Sequence, residues 1–141
     1  MRPVSAKRLA RIEEARPTRT ALLAKFQECM VCGASPRKPH RNMHREMSAT
    51  CVHEIANGPL RAKALDKPFA CLVTCCYCNL HRVVNKREWP EARQLAVLLV
   101  RAPENYNLPA YLQLTRPNAP NRITQEEVEQ WIPSVVSFRC S

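Results

Sequence analysis

The sequence predicts an α+β fold: a β-hairpin followed by a helix, with a basic helical arm before it and a helical extension after it. Three observations predict this. Two Cys-x-x-Cys pairs, Cys29/Cys32 and Cys75/Cys78, stand 42 residues apart. Two runs between them have strand character, the first rich in β-branched residues (Thr50, Val52, Ile55) and the second Phe69 to Thr74. After residue 88, apolar residues recur at helical spacing (Ala92, Leu95, Ala96, Leu99). We divide the chain into an arm (1–28), a cysteine-bracketed module (29–87) and a helical extension (88–141).

In the arm, residues 5–16 read as a basic helix with a thin apolar stripe, Leu9 and Ile12, among Lys7, Arg8, Arg11 and Arg16. Pro17 is expected to interrupt it, because proline removes a helical N–H and clashes with the preceding turn. Ala21 to Gln27 reads as a second short helical turn that offers Leu22, Leu23 and Phe26 for packing. Gly33, directly after the first cysteine pair, suits the tight turn of a metal knuckle.

Residues 34–49 read as a polar, basic loop. Asn57-Gly58-Pro59 is a turn signal, and residues 60–66 form a short helix before Lys67-Pro68. From Asn79 the pattern turns helical through His81, Val83 and Val84. Pro90 opens the next helix with Glu91 favourable beside it. Pro109 opens another that carries Tyr111, Leu112 and Leu114. Thr124-Gln125-Glu126-Glu127 is a capping box ahead of Val128, Trp131 and Ile132. Trp89 and Trp131 fall on apolar helix faces and read as packing residues.

Four thiolates from two such pairs close a tetrahedral Zn²⁺ site with no open position, which makes it structural. Cys76 competes with Cys75 for the fourth place, and the spacing to Cys78 favours Cys75. Cys51 and Cys71 read as small buried core residues, the alternative being a second metal site with His40, His44 or His53. Cys140 reads as a free tail thiol. Eight cysteines also raise a secreted disulfide scaffold. Against that, the basic N-terminus lacks the apolar stretch of a secretory signal, and a reducing cytosolic setting fits zinc-bound thiolates better. The longest apolar run, Leu95 to Val100, is too short to span a bilayer.

The formal charge is +10, unevenly spread. The arm carries seven basic and three acidic side chains, the module ten and three, the extension five and six. A polyanion partner follows, nucleic acid before an acidic membrane surface. Arg37, Lys38, Arg41, Arg45, Arg82, Lys86 and Arg87 are the candidates for positioning a phosphate backbone.

The order of cysteine pair, strand with His53-Glu54-Ile55, second strand with Leu72-Val73, cysteine pair, Asn79 and His81 resembles the ββα-metal module of the HNH endonuclease family. In particular it is similar to small phage- and prophage-encoded members. The resemblance covers roughly residues 29–87. It implies phosphodiester hydrolysis of duplex DNA in the cytoplasm of a bacterial host, beside a terminase or recombination proteins. It also implies a catalytic Mg²⁺ or Mn²⁺ distinct from the zinc. On that pattern His53 matches the general base, Asn79 a metal ligand, and His81 a phosphate contact or alternative ligand. Two positions depart from the pattern. Val52 stands where the family usually has a metal-binding Asp, and the stretch Lys67-Pro68-Phe69-Ala70-Cys71 lacks the family's middle Asn. Glu54 and Asp66 are the carboxylates at hand. The other readings are a catalytically inactive zinc-finger protein that binds nucleic acid, and an adaptor or regulatory protein that docks through the extension.

Overall fold

A computed structural model describes residues 3–39, 45–120 and 122–138. His40, Arg41, His44 and Cys140 lie outside the described residues, as does the side chain of Arg45. The fold is α+β, with one two-stranded antiparallel sheet enclosed by helices. None of the described helices is long and apolar enough to cross a membrane.

Helix α1 runs Ala6–Lys25, and Ser5 caps it by accepting from the Arg8 N–H at 3.2 Å. It passes through Pro17 without a break, which corrects the expected interruption. An interior proline costs about 3 kcal/mol, and contacts on both sides of it offset that cost. Before Pro17, Arg11 donates to Ala62 O at 2.7 Å and pairs with Asp66 at 2.5 Å. After it, Arg19 reaches Val52 O at 3.2 Å and Glu54 at 3.3 Å. Leu22 and Ala15 are buried beneath.

Strands β1 (Thr50–Glu54) and β2 (Cys71–Cys75) pair with Val52 opposite Val73 and His53 opposite Leu72. An isolated two-stranded hairpin is marginal in water. Here every residue of β2 is buried, so the sheet is covered rather than exposed. Short helix α2 (Leu60–Ala64) fills the connection, and Pro68–Ala70 forms a 3₁₀ turn where strand had been expected from Phe69.

Helix α3 (Cys76–His81) starts directly at the end of β2. It is shorter than the sequence suggested: the N–H groups of Arg82 and Val83 both turn back to Cys78 O, and Val84 is outside the helix. Helix α4 (Glu91–Arg101) buries a continuous block from Gln94 to Leu98. Helices α5 (Leu108–Thr115), α6 (Gln125–Gln130) and α7 (Ile132–Ser137) complete the core with Tyr111, Val128 and Val135. Asn107 and Thr124 cap α5 and α6 through their side chains. Trp89 is 3 % exposed and meets Phe138 edge-on at 5.3 Å, so it packs as expected.

Candidate metal centre and the histidine beside it

The two knuckles are built by ordinary backbone chemistry. Gly33 takes a φ of 81°, which a side chain would resist, and its N–H closes the turn on Cys29 O at 2.8 Å. The Met30 N–H then bonds Val73 O at 2.9 Å, docking the first pair onto β2. The second pair needs no loop, because Cys75 ends β2 and Cys78 lies in the first turn of α3.

The Sγ atoms of Cys29, Cys32, Cys75 and Cys78 all lie within 4.8 Å of one another, and all four residues are buried. Cys32 and Cys75 are 3.8 Å apart. That is about the edge of a tetrahedron with Zn–S bonds of about 2.3 Å, so the group fits a structural zinc ion. Cys76 is outside the cluster, so Cys75 is its fourth member. Hydrogen bonds from Cys32, Cys75 and Cys78 hold the Cys29 thiol far below its ordinary range. Sharing with Cys29, Cys32 and Cys75 holds Cys78 far above its own. A divalent cation held here would supply the charge that lets four clustered thiols ionise together. Arg82 donates to Cys78 Sγ at 3.1 Å, and its guanidinium stacks on Tyr77 and Phe138. This outer contact favours the thiolate, and it occupies a residue that the sequence had suggested for phosphate.

His53 lies on β1, 8 % exposed. Its Nδ1 is 3.1 Å from Asn79 Oδ1 on α3, and its Nε2 is 3.0 Å from Gln94 Oε1 on α4. Gln94 was not anticipated. Its signal was available: a polar residue beside Leu95 and Ala96 on a helix that is otherwise apolar on that side. It is fully buried, and its amide gives both hydrogens to carbonyls, Val83 O at 3.0 Å and Trp89 O at 2.8 Å. Gln94 Oε1 is thus fixed as an acceptor, and His53 carries its proton on Nε2. Burial, helped by the charge of Lys86, pushes the His53 pKa down to about 4, so the ring is neutral at pH 7. Its lone pair sits at Nδ1 and wants a donor. Asn79 supplies one when its carboxamide turns Nδ2 to the ring, leaving Oδ1 to the Cys51 thiol, which lies 3.5 Å from the other end of the amide.

The remaining residues divide. His81 is exposed and its ring meets Tyr77 at a tilt, with centroids 4.8 Å apart. Residues two apart on a helix do not share a face, so His81 is not brought to His53 with Asn79. Lys86 is half-buried and donates to Ile55 O at 3.0 Å. Arg37, Lys38 and Arg87 remain exposed. Burial pushes Cys51 up to about 11 and Cys71 up to about 12, and the Cys71 thiol donates to Ala64 O at 3.2 Å.

The residues do not fit a protein-held Mg²⁺ or Mn²⁺. Such ions prefer oxygen ligands, carboxylates above all. Beside His53 the hydrogen-bonding donors and acceptors are two carboxamides. Glu54 follows His53 on the strand, so it faces the other side, where Arg19 and Arg61 pair with it at 3.3 and 3.8 Å. Asp66 is held by Arg11. Among the described residues the four cysteines are the one group of three or more His, Cys, Asp or Glu side chains close enough to bind an ion. Comparison with protein-family models, with curated proteins and with solved structures finds no match for this chain.

Proposed function

We propose that this protein is a zinc-stapled, HNH-type DNA endonuclease that hydrolyses phosphodiester bonds. The observation that carries the reading is the His53–Asn79 contact. A strand histidine and a helix-start asparagine meet at 3.1 Å, with the four-cysteine cluster at the junction of the same strand pair and helix. In the proposed reaction, Nδ1 of neutral His53 accepts a proton from water once Asn79 gives way. The water oxygen bonds to phosphorus as the P–O3′ bond breaks, and the departing 3′ oxygen takes a proton from solvent. Gln94 holds the ring tautomer, and Lys86 brings positive charge to the same neighbourhood. Arg37, Lys38 and Arg87 hold the DNA backbone. No step is assigned to Mg²⁺ or Mn²⁺.

A second reading, DNA binding without cleavage, is favoured by one observation: Glu54, the carboxylate next to His53, is turned away and locked between two arginines. Cleavage of supercoiled plasmid separates the two. Zinc-loaded protein is assayed with Mg²⁺, Mn²⁺ or EDTA, beside His53→Ala. Nicking that vanishes in His53→Ala supports the endonuclease. Salt-sensitive DNA binding with no nicking under any condition supports the binding module.

A further inference from the structure

Across β1 from His53, a cavity of about 510 Å³ opens between α1, the end of β1 and α2. Arg8, Arg11, Arg19, Arg61 and Ile12 line it, together with a single carboxylate, Glu54. Like charges gathered in one cavity repel unless they are compensated.

The four arginines do different work. Arg11 is consumed by the fold: it bonds Ala62 O, Lys63 O, Asp66 and Glu14, and so clamps α1 onto α2. Arg19 uses Nη1 on Glu54 and Nη2 on Val52 O, which fixes its plane and leaves further N–H groups. Arg61 is 60 % exposed and reaches Glu54 only at 3.8 Å. Arg8 is exposed at the mouth. Glu54, 7 % exposed, is the buried counter-ion that orients Arg19 and Arg61. Setting aside Arg11, already matched by Asp66, three arginines face one carboxylate. Two positive charges are left over, and planar N–H forks suit a bidentate oxyanion.

We propose that this cavity binds a phosphate group, held by Arg8, Arg19 and Arg61. The site is separate from His53, and it stands whether or not His53 cleaves anything. The phosphate comes either from a nucleic-acid backbone or from a free phosphate compound.

The test uses zinc-loaded full-length protein and the double variant Arg8→Ala/Arg61→Ala. Both arginines are exposed, and in their absence the buried Glu54 keeps its nearer partner, Arg19. Lys7→Ala/Arg16→Ala is the control, since it removes the same charge from exposed positions outside the cavity. Inorganic pyrophosphate is titrated by calorimetry, and a short DNA duplex by fluorescence anisotropy at several salt concentrations. The Arg8→Ala/Arg61→Ala protein should lose affinity about tenfold or more beyond the control. A loss for both ligands, with the duplex salt slope shrinking by about one, assigns the phosphate to a nucleic-acid backbone. A loss for pyrophosphate alone assigns it to a free phosphate compound. Binding of both ligands indistinguishable from the control overturns the proposal.

Discussion

His53 Nε2 and Gln94 Oε1 lie 3.0 Å apart, both side chains are buried, and 41 residues of chain separate them. The bond ties the hairpin to the helical extension through a single amide. Because the same amide also satisfies Val83 O and Trp89 O, Gln94→Leu strands three buried polar groups at once. Each such group costs about 1–3 kcal/mol, so a loss of about 3 kcal/mol or more is expected in urea denaturation. A loss under 1 kcal/mol would mean that the amide contributes no net stability.

The depressed His53 pKa has a pH consequence. The unfolded chain binds the proton near pH 6.5, whereas the folded ring resists it down to about 4. Between those values the unfolded state holds more protons, so stability rises with pH. The benefit is complete above about pH 6.5 and declines as pH falls toward 4, by about 3 kcal/mol at most. Melting temperatures of wild type and His53→Asn, compared from pH 7.5 to 4.5, should converge on acidification. Parallel curves would count against a buried neutral ring.

Zinc is expected to be required for folding. Structural zinc binding is worth about 10–16 kcal/mol in small modules, comparable with or larger than the whole stability of an ordinary domain. Chelation at pH 7, or Cys29→Ser, should abolish the near-UV signal of the packed aromatics and release one zinc ion per chain. Full retention of that signal in metal-free protein would show that the cysteines serve only as core. Uptake should also release protons, because the Cys78 thiol resists ionisation on its own.

Two sets of basic residues should behave differently. Arg82 bonds Cys78 Sγ and stacks on two rings, so Arg82→Ala should weaken zinc retention and lower the melting temperature. Arg37 and Lys38 are exposed. Their double alanine variant should leave melting unchanged and lower the salt dependence of DNA binding by about one to two. Reversal of these phenotypes would reassign both sets.

What could be read from the sequence follows the range of the interactions involved. Cysteine spacing is local, and so is the apolar period of α4, so the four-cysteine cluster and that helix can be read from the sequence. The continuity of α1 through Pro17 was not, because it depends on Asp66, 55 residues from Arg11, and on Val52 O and Glu54, more than 30 residues from Arg19. Gln94 stands out in the sequence as a polar residue on an apolar face, but its role rests on partners at His53, Val83 and Trp89 that only the fold brings to it. The engagement of Arg82 and Lys86 with the fold was hidden for the same reason: sequence counts charges, but only packing decides which of them remain available.

Arg101 on α4 donates to Met30 O, inside the first cysteine knuckle, at 3.2 Å. Together with the Gln94 bond to His53, this anchors one helix both to the first cysteine knuckle and to β1. For transplantation or dissection, the portable unit therefore extends to residue 101. A fragment that stops at residue 87 would keep all four clustered cysteines yet leave β2 without the wall it rests against.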